Sequence, residues 1–151
     1  MKLLRRTVLA GIAMVALAGT SAYAGQAGDG TKRLAIQISD NDPATFNKAL
    51  NVATNFARGM SESGDFYENE IVTFNAGLHM LRTDTSPVLE RIASISESIP
   101  EVKFSACGNT IAGMTRKEGA EAPISEHAGV VTAGVVRLME LDDQGYFIIR
   151  P

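Results

Sequence analysis

The chain has 151 residues, 45% of them hydrophobic and 21% charged. That is the composition of a folded globular protein, and it excludes disordered, collagen-like and simple-repeat chains. A net charge of −3 and a pI near 5.4 exclude the basic surface of a dedicated nucleic-acid binder, and the single cysteine excludes any disulfide within the chain.

Residues 1–24 read as a cleaved export signal. Lys2, Arg5 and Arg6 form a positive start, and Thr7 to Ala18 (TVLAGIAMVALA) is an uncharged, mostly apolar stretch. Ala22-Tyr23-Ala24 follows as an A-x-A cleavage site, which places the cut after Ala24. The apolar stretch is shorter than the roughly 18–20 residues that cross a bilayer, so a retained anchor is disfavoured. Arg5-Arg6 has the paired arginines of a twin-arginine signal, but the rest of that motif is incomplete, and general secretion is the simpler reading. The expected compartment is the periplasm, with no stable membrane insertion once the signal is gone. Removing 24 of the 151 residues leaves 127. Three of the 14 basic residues and none of the 17 acidic ones go with the signal, so the mature charge is −6. Neither nucleic acid nor an anionic lipid surface is an expected partner of so acidic a chain.

Residues 25–31 are Gly-rich and polar and read as a flexible leader to a domain over 32–151. Arg33 to Ser39 (RLAIQIS) is a short apolar run, hence a buried strand. Asp42 is placed to cap a helix that Pro43 opens. Phe46, Ala49, Leu50, Ala53, Phe56, Ala57 and Met60 then recur at helical spacing, and Ser61 to Asp65 is a turn. Glu70 to Asn75 (EIVTFN) is the second strand. Ser86-Pro87 opens a second helix, which Pro100 stops. Val102 to Ala106 is a third strand, and Asn109 to Lys117 a weaker helix signal. A loop from Glu118 to Ser125 leads to a fourth strand, Ala128 to Val131. Ala133 to Gln144 is a helix that Gly145 terminates, and Tyr146 to Ile149 is a last strand. This alternation predicts an α/β fold: a three-layer α/β/α domain with a mainly parallel five-stranded sheet.

In such sheets ligands gather beyond the carboxyl ends of the strands. That rule selects Asp40, Asn41 and Asp42, then Asn75 to His79, then Cys107 to Thr110. The segment around Glu126 and His127 precedes a strand and belongs to the opposite end. Cys107 stands between a strand and a helix, where the helix dipole and backbone N–H groups favour a thiolate. Asn109 and Thr110 are placed to cap that helix or to hydrogen-bond a bound sulfur species. The bland reading is a buried, inert cysteine, since free cysteines are among the most buried residues. An exposed unpaired thiol in an oxidising compartment would need a role or a partner chain.

The mature chain resembles the DsrE/DsrF-like family of small sulfur-relay proteins, in its exported branch. The segments that carry the resemblance are LAIQISDNDPATFNKALNVATNF, IVTFNAGLHML, VKFSACGNTIAGM and AGVVRLMELDDQGYFIIRP, in that order and spacing, across Lys32 to Pro151. The resemblance implies an α/β domain that assembles into symmetric homo-oligomers, trimers or hexamers. It implies that Cys107 receives sulfane sulfur as a persulfide and passes it on, with sulfur donor and acceptor proteins or small sulfur compounds as partners. Asn41, His79 and Asn109 match recurring positions of the exported branch and stand as supporting residues with Thr110. The relay proteins of the best-known systems are cytoplasmic, whereas this chain carries an export signal.

Other chemistry finds little support. His79 and His127 are the only histidines, and His79 is a candidate base for Cys107, against the plainer reading of an ordinary surface histidine. Asp40 and Asp42 could bind a cation, but Asp beside Pro at a strand end more often makes a turn and a cap. No C-x-x-C, H-x-x-x-H or H-E-x-x-H motif points to zinc or haem, and no Gly-rich phosphate loop points to a nucleotide. No G-x-S-x-G occurs, so a serine hydrolase has no support. No cofactor or metal is therefore expected. Two readings of different class remain: a periplasmic sulfur carrier that uses Cys107, with sulfurtransferase-like chemistry at most, and a non-catalytic oligomeric binding or scaffold protein in which Cys107 is packing.

Overall fold

The computed structural model describes residues 29–151. The export signal expected over residues 1–24 and the expected leader up to residue 28 lie outside the described residues. The last leader residues are held in place: Asp29 accepts hydrogen bonds from the Thr31 amide and the Arg33 guanidinium.

Five strands and four α-helices alternate as expected. The strands are β1 (Lys32–Ile38), β2 (Tyr67–Thr73), β3 (Val102–Cys107), β4 (Ala128–Val131) and β5 (Phe147–Ile149). They form one sheet in the order β4-β3-β2-β1-β5, and every pairing is parallel. The helices are α1 (Pro43–Ser63), α2 (Leu89–Ser98), α3 (Gly108–Glu118) and α4 (Gly134–Asp143). A 3-10 turn, Asn75–Met80, follows β2. The protein is thus a three-layer α/β/α domain.

Strand order fixes which face each helix takes. From β1 to β4 the chain steps across the sheet in one direction, and from β4 it returns past three strands to lie beside β1 as β5. Right-handed crossovers place helices on one face for the outward steps and on the other for the return. Accordingly α1 and α2, with Ile111 and Met114 of α3, pack on the face that holds Leu34, Ile36, Ile38, Ile71 and Phe104. Among the described residues, helix α4 alone covers the opposite face, over a smaller cluster of Ala35, Val72, Phe74, Cys107, Leu138 and Leu141. The period-two alternation of the strands sorts these sets, because neighbouring side chains point to opposite faces.

Helix α1 shows how local chemistry sets the boundaries. Asp42 caps it, its carboxylate accepting from the amides of Ala44 and Thr45 at 3.0 and 3.2 Å, with Pro43 at the first helical position. The buried stripe is Phe46, Ala49, Leu50, Ala53 and Ala57, and burying a large apolar side chain such as Phe46 or Leu50 contributes about 1.5–3 kcal/mol. The helix runs through Ser63, past the turn expected at Ser61, and stops at Gly64 with φ 76°, a left-handed conformation that favours glycine.

Two further boundaries differ from expectation. Strand β2 begins at Tyr67 rather than Glu70, because Tyr67, Glu68 and Asn69 pair with Lys32, Arg33 and Leu34 of β1. Their polar side chains conceal the strand in the sequence, and their partners supply the reason: Glu68 accepts from Arg33 and Tyr146, and buried Asn69 donates to the carbonyl of Ala53. Helix α2 begins at Leu89, not at Ser86, and the Ser86 hydroxyl accepts from the Val88 amide in the turn before it.

Candidate functional site

Helices α3 and α4 leave adjacent strands, β3 and β4, on opposite faces of the sheet. A crevice opens between their N-termini, at the place where open parallel sheets bind ligands. It is a cleft of about 570 Å³, lined by Phe74, Asn75, Cys107, Asn109, Thr110, Gly113, Met114, Lys117, Ala133, Gly134 and Val135. Lys117 is the one charged side chain among them.

Cys107 ends β3, opposite Val131 of β4, and directly precedes α3. It is 5% exposed, so the cleft is its approach to solvent. Neither α3 nor α4 has a side-chain cap, and the positive ends of both helices meet at this sulfur. Burial pushes the Cys107 thiol up; the Thr110 hydroxyl, then the amides of Gly134, Thr110 and Asn109, more than reverse this and hold it below the ordinary thiol value. The Cys107 thiol makes no full capping bond, so these groups act as a set of nearby dipoles rather than through one strong contact.

Each of those groups is itself held. The Thr110 hydroxyl oxygen accepts from the Asn75 amide at 3.0 Å, which leaves its proton free to point at the sulfur. Asn75 takes φ 50°, a left-handed conformation that asparagine tolerates better than most residues, and this turns the chain from β2 into the 3-10 turn. Gly134 lies against the Phe74 ring, where a Cβ would come within 2.9 Å of the ring, so no larger residue could bring its amide as close. The Asn109 amide is donated to the Thr132 carbonyl at 3.2 Å and ties the start of α3 to the end of β4.

Under α4 lies a buried charge pair. Glu70 of β2 accepts from Arg137 of α4 through both oxygens, at 2.8 and 2.7 Å, and from the Ser105 hydroxyl at 2.6 Å. Burial pushes the Glu70 carboxyl up, and the Arg137 guanidinium and the Ser105 hydroxyl overcome it, leaving the group below the ordinary carboxylate value. The pair fixes α4 to the sheet one turn from Gly134.

The residues selected from the sequence divide at this cleft. Cys107, Asn109 and Thr110 line it, together with Asn75. His79 does not line it: its Nδ1 lies 2.8 Å from the Thr85 hydroxyl, and no hydrogen bond joins it to Cys107. Asn41 is exposed and lies outside the lining, Asp42 caps α1, and Asp40 pairs with Arg150. Gly134 and Lys117 were missed by sequence reasoning. The signal for Gly134 was a second strand end, VVTAG, followed by an uncapped helix on the same edge of the sheet. Among the described residues no group of His, Cys, Asp and Glu is clustered to hold a metal ion. Among them, too, no helix is long and apolar enough to cross a membrane.

No family model matches the chain, and no curated protein matches it. A similar solved structure is that of MTH1491, a protein of unknown function from Methanobacterium thermoautotrophicum. It shares 23% sequence identity with a TM-score of 0.67, over 80% of this chain and 99% of that one. The likeness is one of fold.

Proposed function

We propose that the protein is a periplasmic, DsrE/DsrF-like sulfur carrier in which Cys107 holds sulfane sulfur as a persulfide. The observation that carries this reading is the Cys107 thiol at the floor of a cleft, between two uncapped helix N-termini and beside the Thr110 hydroxyl. The same groups that favour a thiolate would favour a persulfide anion one atom further out. Lys117 at the cleft wall suits an anionic sulfur donor.

With thiosulfate as donor, the Cys107 thiolate attacks the outer sulfur. A new S–S bond forms, the donor's S–S bond breaks, and sulfite leaves with the electron pair. A polysulfide donor leaves as the chain shortened by one sulfur. An acceptor thiolate then attacks the outer sulfur of the persulfide, takes it, and restores the Cys107 thiolate. Both steps are thiol–disulfide exchange in form and need no external oxidant.

Intact-mass spectrometry after incubation with polysulfide tests this. The wild type gains the mass of one sulfur atom, and Cys107→Ser does not. Absence of the adduct on the wild type, or its presence on the variant, overturns the reading.

A second reading has its own support. Cys107 is 5% exposed, and Val135, Val136 and Met139 of α4 are exposed apolar residues. These suit a non-catalytic homo-oligomeric scaffold, trimer or hexamer, with Cys107 as packing. That reading expects native protein to resist alkylation until unfolded.

A further inference from the structure

Helix α3 supplies the cleft with Asn109, Thr110, Gly113, Met114 and Lys117, yet none of its residues is fully buried. Its apolar hold on the core is Ile111 and Met114, both partly buried. A helix so lightly packed depends on its ends for position. The start is tied by the Asn109 amide to Thr132 and by Thr110 to Asn75. The far end is tied by Arg82.

Arg82 lies in the turn after the 3-10 segment, and its side chain is 4% exposed. It donates to Asp84 at 2.9 and 2.6 Å and to Glu118, the last residue of α3, at 2.7 and 2.8 Å. Its Nη1 also lies 3.6 Å from the Met114 sulfur in the cleft wall. The backbone around it is anchored: Ser125 donates to Leu81, Thr83 donates to Pro123, and Ser86 donates to Arg82. Two carboxylates serve one buried cation, although one suffices for neutrality. Asp84, two residues from Arg82, holds the guanidinium within its own turn. Glu118, 36 residues away, links it to α3.

We propose that Arg82 is a positioning residue for Cys107: through Glu118 and Met114 it seats α3 so that Thr110 and Met114 line the cleft beside the sulfur. The inference rests on the reading of Cys107 as the reactive thiol.

The test is the pH profile of Cys107 alkylation in native full-length protein, with the fold of each variant checked by circular dichroism. In the wild type the midpoint lies below that of a free thiol. Glu118→Ala lets the far end of α3 lift, and the midpoint rises by about one pH unit, equivalent to about tenfold less thiolate at a given pH below it. Loss of a carboxylate by itself would favour a thiolate and move the midpoint down, so the direction separates seating from charge. Glu118→Gln, which keeps an acceptor for Arg82, recovers part of the shift. Asp84→Asn, which leaves Glu118 in place, leaves the midpoint where it was. An unchanged or lowered midpoint in Glu118→Ala, or an equal rise in Asp84→Asn, overturns the inference and leaves the sulfur-carrier reading standing. A wild-type midpoint at the free-thiol value overturns that reading itself, and this inference with it.

Discussion

The two faces of the sheet are built by different means. Beneath α1 and α2 the contacts are large and apolar: Phe46, Leu50, Ile36, Ile38, Ile71 and Ile92 are fully buried against one another. Beneath α4 the apolar cluster is small and includes the one cysteine, and a charge pair, Glu70 and Arg137, lies between the helix and the sheet. The first face is where burial makes the fold stable. The second is covered by a single returning helix, and that leaves the crevice beside Cys107 open. The larger apolar core and the small cluster that holds Cys107 thereby lie on opposite sides of the same five strands, and substitutions can separate them.

The largest expected effect is on the apolar face. Phe46→Ala removes a fully buried ring and costs about 3–5 kcal/mol, read by urea unfolding. Below the unfolding transition its Cys107 alkylation midpoint matches the wild type, because Phe46 lies outside the residues that line the cleft around the sulfur. A shifted midpoint in folded Phe46→Ala would break the division between the faces.

A smaller effect is expected at the charge pair. Glu70→Gln weakens the charged hydrogen bonds from Arg137 and costs about 1.5–3 kcal/mol at neutral pH. The carboxyl is held below its ordinary value in the folded protein. Its ionisation therefore favours folding above that ordinary value, and the contribution is lost as pH falls through the lower, folded value. Removing the group removes that part of the acid sensitivity, so the stability of Glu70→Gln declines less steeply in acid. Asp29, Asp42, Glu68, Asp84 and Glu118 are held low as well, so a slope remains. Equal slopes in the two proteins would show that the α4 face draws no stability from this ionisation.

What the sequence revealed follows the same division. The apolar face was legible because its residues recur at fixed spacing within single elements: Phe46, Ala49, Leu50 and Ala53 along α1, alternate apolar positions along β1. Cys107 was legible because a strand end and a helix start flank it in the chain. The contacts that condition it were not, since they join distant segments. Glu70 and Arg137 are 67 positions apart, Asn75 and Thr110 35, and Arg82 and Glu118 36. No local pattern announces such pairs; strand order brings them together. Gly134 was hidden for a related reason, because its amide becomes meaningful only once β4 is known to lie beside β3. His79 shows the converse error: a histidine after a strand end on the same edge reads as a candidate base, but the 3-10 turn directs it to Thr85.

The smallest effect on the folded chain is expected at the outer surface of α4, and it bears on how that face is completed. Val135, Val136 and Met139 are 57, 51 and 64% exposed. Apolar side chains gathered on one layer mark an association surface more often than a free one. If homo-oligomers form there, a second copy supplies to the α4 face the cover that α1 and α2 supply to the other. Met139→Lys would then lower the mass measured by sedimentation, while the stability of each protomer changes by no more than about 0.5 kcal/mol, as for an exposed substitution. A wild type that sediments as a monomer, or a variant with unchanged assembly, would mean that the thin face stays thin in solution. The asymmetry between the two faces would then belong to the single chain, with the cleft at Cys107 open along its α4 side.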